Sequence, residues 1–178
     1  MAVILITVSL WAISVHNGLV RLSKLKEEAW SGMDVPLKRR AALLPNLAEI
    51  VRSRASNERS MLQMIDETLG AVSSASAPDA RIEAESVLSV TLRSLFKVAD
   101  AHPDLKSNAV FIKLKNEASS LENEIQLARH YYNGTVRNFN KAIRMFPAVL
   151  ISSRLGYSKA TMFGEEDGGT EPADVSFA

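Results

Sequence analysis

The hydrophobic pattern opens with an unbroken run. Ala2 to Val15 (AVILITVSLWAISV) has no charged residue and nothing more polar than a hydroxyl. Beyond it apolar positions recur at steps of three and four, the spacing of one face of an α-helix. Val15, Leu19, Leu22, Ala29 and Met33 form a loose stripe on a first helix over about 17–44. Gly32 and Pro36 interrupt that stripe, and Pro36 disfavours helical geometry at Val35, so a kink is predicted there. A stronger break is predicted at Pro45. Asn46 followed by Glu49 resembles a capping box, which starts a second helix at Asn46 with a seam through Ala48, Val51, Ala55, Glu58, Leu62, Ile65, Leu69 and Val72.

The stretch 70–78 (GAVSSASAP) reads as a loop of small and polar residues. A third helix is predicted over about 79–101, with Ala84, Leu88, Leu92, Leu95 and Ala99 on one face, and His102-Pro103-Asp104 ends it. The fourth, over about 105–145, carries the longest stripe: Phe111, Leu114, Ala118, Leu121, Ile125, Ala128, Tyr132, Val136, Phe139, Ile143 and Phe146. Consecutive steps of four around Tyr132 are a stutter, which locally unwinds a supercoil.

Lengths choose the layout. A turn at Pro45 gives an outgoing arm of ~40 Å and a returning one of ~42 Å at ~1.5 Å per residue. The sequence therefore predicts an all-α protein in which an N-terminal transmembrane helix leads into an antiparallel up-and-down four-helix bundle. Its divisions are an anchor over 1–16, a helical domain over 17–146, an apolar segment over 147–163 and an acidic tail over 164–178 with a disorder-prone composition. In this layout the fourth helix returns toward the membrane and delivers 147–157 (PAVLISSRLGY) near the bilayer. That segment either caps the bundle or makes a second, interfacial membrane contact.

The anchor residues are Ala2, Val3, Ile4, Leu5, Ile6, Val8, Leu10, Trp11, Ile13 and Val15. Fourteen residues span ~21 Å against a hydrocarbon core of about 30 Å, so the run is short for a span. A signal-peptide core is the alternative. Against it, no Lys or Arg precedes the run, and Ala12-Ile13-Ser14 is a poor cleavage site. Arg21, Lys24 and Lys26 follow closely, so the positive-inside rule puts the domain in the cytoplasm.

Composition narrows the function classes. Lys+Arg 21 against Asp+Glu 20 leaves a net charge of +1, which gives no drive toward nucleic acid. There is no cysteine, and His16, His102 and His130 have no metal-ligand spacing, so no metal or cofactor is expected. No phosphate loop or Ser-nucleophile motif is present, and Glu122 and Glu124 are expected on different sides of their helix, so no enzyme is expected.

Several separated blocks resemble the LemA family. They are Ala29-Trp30; Asp34-Val35-Pro36-Leu37-Lys38-Arg39-Arg40; Leu44-Pro45-Asn46-Leu47 with Glu49 and Glu58; Pro103-Asp104-Leu105-Lys106 with Asn108 and Phe111; Tyr132-Asn133 with Val136, Phe139-Asn140, Ile143 and Phe146-Pro147; and Leu155-Gly156-Tyr157 with Phe163. The resemblance covers nearly all of 16–163. It implies a bacterial inner-membrane protein with one transmembrane helix and an antiparallel four-helix domain, and it assigns no catalytic residues. His16-Asn17 and Phe139-Asn140 stand where the family usually has Tyr-Asn, and Pro36 where Gln is common.

The remaining candidates are interaction or structural residues. Glu58 is the carboxylate in an apolar seam, either a ligand or switch group or the partner of Arg129 or Arg137. Lys38, Arg39 and Arg40 form a basic cluster, either a partner surface or a solvated or internally paired face. Tyr132-Asn133 and Phe139-Asn140 repeat seven residues apart and so share a helical face. Their amides either fix bundle register through neighbouring carbonyls or line a recognition groove. The function expected is a membrane-anchored module presenting a protein-binding surface. The alternative is a scaffold that oligomerises through its bundles and shapes or marks the membrane.

Overall fold

The computed structural model describes residues 1–54, 59–75 and 77–164. They are helical, with no strand among them: α1 Ala2–Arg54, α2 Arg59–Ser74, α3 Pro78–Ala101, α4 Pro103–Lys106 and α5 Ala109–Arg144, then a short 3-10 turn at Ala148–Leu150. The acidic stretch 165–178 and Glu58 lie outside the described residues.

The largest departure from the sequence reading is α1. It runs unbroken from the apolar stretch to Arg54, through both Pro36 and Pro45. An internal proline removes one backbone hydrogen bond and crowds the carbonyl four residues back, at a cost of about 3 kcal/mol. Packing offsets this. Met33, Leu37, Leu43, Leu44, Leu47, Ala48 and Val51 are all buried, and each large apolar side chain contributes ~1.5–3 kcal/mol. Asn46 and Glu49 are therefore exposed residues inside a helix rather than a cap, and the predicted start of the second helix at Asn46 is wrong.

The length matching explains the error. The partner of α1 is α5, not α2. From Asn17 to Arg54, α1 is ~57 Å long, and the 36-residue α5 is ~54 Å. The two run antiparallel. Leu19 clusters with Phe139 and Ile143, Met33 and Leu37 with Tyr132 and Val136, and Leu44 and Leu47 with Phe111 and Leu114. The shorter α2 and α3 lie antiparallel to each other, joined by a buried hydroxyl pair, Thr68–Thr91, at 2.8 Å.

The predicted fourth helix is split. α4 stops at Lys106, and Asn108 takes an extended conformation and caps α5, accepting from the Val110 and Phe111 N–H groups at 2.9 and 3.0 Å. From there the stripe is buried from Phe111 to Ile143, with Ala128 half-buried and Phe146 exposed.

Candidate functional site: a buried charge centre and a clamped strap

In α3, Arg81, Glu85, Leu88, Leu92, Leu95 and Ala99 step by four and three without a break, so Glu85 occupies a seam position. Its carboxylate is 0% exposed and receives Arg40 Nη2 from α1 at 2.8 Å, with Arg40 itself 3% exposed. Arg40 Nη1 donates to Glu122 on α5, also at 2.8 Å. One guanidinium thus ties three helices together. Arg81 Nη1 donates to the Val72 carbonyl at 3.0 Å, and Nη2 lies 2.9 Å from Glu85 Oε1. That last contact lacks hydrogen-bond alignment, which leaves Glu85 Oε1 and Arg81 Nη2 without hydrogen-bond partners among the described residues, and Arg40 Nε and Arg81 Nε lack them as well. Two cations face two anions, so the centre is neutral.

Beside it opens a cleft of about 440 Å³, lined by Arg40, Arg93, Phe96, Ser119, Glu122 and Asn123. The three residues of the basic cluster differ: Lys38 and Arg39 are exposed and Arg40 is buried. Arg40 is internal, Arg39 meets Glu124 at 3.5 Å, and Lys38 meets Asp34 at 2.5 Å. Glu122 and Glu124 both reach arginines of α1.

The second construction lies on the opposite stretch of α5. After the turn, residues 157–164 run back along the helix as a strap. Asn140 Nδ2 donates to the Ala160 carbonyl while its Oδ1 accepts the Ala160 N–H, both at 2.8 Å. Asn133 does the same for Phe163, at 3.1 and 2.8 Å. The seven-residue repeat puts both amides on one face, and each satisfies the donor and acceptor of one strap residue. Tyr132 adds a bond from its hydroxyl to the Thr161 carbonyl at 3.1 Å. Burial, then the nearby Asp79 carboxylate, holds this phenol above its usual range, which keeps the donor protonated.

Aromatic contacts seal the strap. Trp30 meets Tyr132 edge-on with ring centroids 5.4 Å apart, Phe139 meets Tyr157 at 5.9 Å, and Lys26 Nζ lies 4.6 Å over the Phe139 ring. A second cleft, also about 440 Å³, opens here between Lys26, Trp30, Asp79, Tyr132 and Lys159.

The anchor residues make almost none of these contacts. Val3, Ile4, Leu5, Ile6, Val8, Leu10 and Ile13 are each at least 55% exposed. α1 is the one described helix long and apolar enough to cross a membrane. No group of three or more His, Asp or Glu side chains suited to a metal occurs among the described residues.

Sequence reasoning missed Glu85. The signal was present in the four–three register through Arg81 and Glu85, but the face was started one residue early, at Ala84. A profile described as the LemA family matches residues 29–177, a region that begins beyond the apolar run. No curated protein sequence matches the chain.

Proposed function

The chain belongs to the LemA family, and we propose that it is a membrane-anchored, non-enzymatic helical module. Its helices form an antiparallel bundle on the cytoplasmic side of a bacterial inner membrane and present a surface to a protein partner. The observation that carries this reading is the bare apolar end of α1. Seven large side chains there are each at least 55% exposed, yet they stand on the same helix as the best-packed part of the interior. Exposed apolar area of that extent needs a partner phase, and a bilayer is the one that suits an apolar helix.

The neutral charge centre fits a structural rather than a catalytic role. Its four groups are occupied with one another, and the interior holds apolar side chains around them. The two clefts suit recognition better, since each combines aromatic or apolar walls with charged rims. Photo-crosslinkers placed at Ser31 and Arg93, on the rims of the two clefts, test the reading in native membranes. One reproducible partner crosslinked from either position is expected. Repeated failure to recover any partner contradicts it.

The scaffold alternative draws on the short anchor, because hydrophobic mismatch favours clustering. Mass photometry of the detergent-solubilised chain separates the two. A monomer removes the scaffold, and a large uniform oligomer replaces the module with it.

A further inference from the structure

The turn that follows α5 has two unlike sides. One side is packed: Ala148 and Ser152 are buried, and Ser152 Oγ donates to the Ile143 carbonyl at 3.0 Å. The other side is bare and apolar. Phe146 is 77% exposed and Leu150 59%, with Met145, Val149 and Leu155 also exposed. A segment that only capped the helices would turn these side chains inward. Here Ala148 and Ser152 do the capping with half-buried Ile151, and the other large apolar residues face out.

The place of this patch in the fold says what covers it. Ile143 and Ala148 share an apolar cluster with Leu19, and Val15 packs against that cluster. The patch therefore stands level with the point where the apolar run of α1 ends. Over 141–160 the chain carries Lys141, Arg144, Arg154 and Lys159 and no acidic residue. Arg21 lies on the neighbouring stretch of α1, where Lys24 is paired with Glu27 at 2.7 Å.

We propose that Met145–Leu155 is a second membrane-contact site, whose apolar side chains enter the interfacial layer of an anionic bilayer while the flanking cations meet its headgroups. This rests on the reading of α1 as a membrane anchor and extends it. The apolar run of α1 ends beside this turn, so a bilayer that holds the run has its surface at the level of the turn. The pattern of large apolar groups rimmed by Lys and Arg is that of an interfacial element. The packed domain is then held at two points, which fixes its tilt and rotation relative to the membrane, as a single helix alone would not.

The chain has no cysteine, so single labels are clean. Leu10→Cys, Phe146→Cys, Leu150→Cys and Leu127→Cys sit at exposed positions, where the change leaves the interior untouched. Each full-length variant, carrying an environment-sensitive fluorophore, is reconstituted into phosphatidylethanolamine–phosphatidylglycerol vesicles containing spin-labelled acyl chains. The expected result is several-fold stronger lipid quenching at 10, 146 and 150 than at 127. Quenching at 10 with background values at 146 and 150 overturns the second contact and leaves the anchor standing. Background quenching at all three overturns the anchor reading and this proposal with it. A spectral shift at 146 and 150 that depends on protein-to-lipid ratio, without lipid quenching, assigns the patch to a second copy and overturns the membrane contact.

Discussion

Glu85→Ala is expected to lower the stability of the helical domain by ~3–5 kcal/mol, the range for breaking a buried ion pair by removing one partner. The cause is what remains behind. Arg40 stays 3% exposed with only the half-exposed Glu122 beside it, and Arg81 retains a single carbonyl bond to Val72. A charge left in that position is far from water and underpaired. The double replacement Arg40→Met with Glu85→Leu removes these two charges together and fills similar volume, so it should recover the part of the loss that comes from Arg40, while Arg81 keeps only its bond to Val72. Chemical denaturation in detergent, followed by far-UV circular dichroism, measures both. A Glu85→Ala protein within ~1 kcal/mol of the parent would mean that the centre is open to water, since exposed pairs contribute at most about that much.

Asn133→Ala combined with Asn140→Ala should release the strap. The two amides make four hydrogen bonds to the backbone of Ala160 and Phe163, each with a net value of ~1 kcal/mol, so ~2–4 kcal/mol of local stability is at stake. Hydrogen exchange at the Ala160 and Phe163 amides is the direct readout. Both should lose protection while amides in the middle of α5 keep theirs. Unchanged exchange would show that the aromatic contacts alone hold the strap.

Alkaline pH acts on the same structure through Tyr132. Its phenol binds its proton more tightly when folded, so its contribution is fully present below the ordinary value of about 10. That contribution is lost as pH rises through the raised one. Strap protection should therefore fall above about pH 10, and Tyr132→Phe should weaken the strap below that pH while removing that phenol's share of the dependence.

These two constructions differ in how far the sequence discloses them. The stripes of α3 and α5 were legible because each is a long amphipathic repeat, and every expected α3 face residue from Ala84 to Ala99 is buried. The Asn repeat was legible as a shared face, but its partner was not. The strap has no periodicity of its own, and it takes its conformation from side chains 20 and 30 residues away. The end of α1 was misread because proline is a local signal, whereas the burial that carries the helix past Pro45 comes from residues of α2, α3 and α5. The basic cluster shows the same limit. Lys38, Arg39 and Arg40 are alike in sequence, yet only helix rotation decides that Arg40 faces the interior.

If the bare first turns of α1 hold this domain to a membrane, the chain should resist alkaline carbonate extraction. Membranes from cells expressing the full chain, and a version lacking residues 2–15, are washed at high pH and sedimented. The full chain should stay in the pellet, and the shortened one should move to the supernatant. A full-length chain recovered in the supernatant would contradict the account.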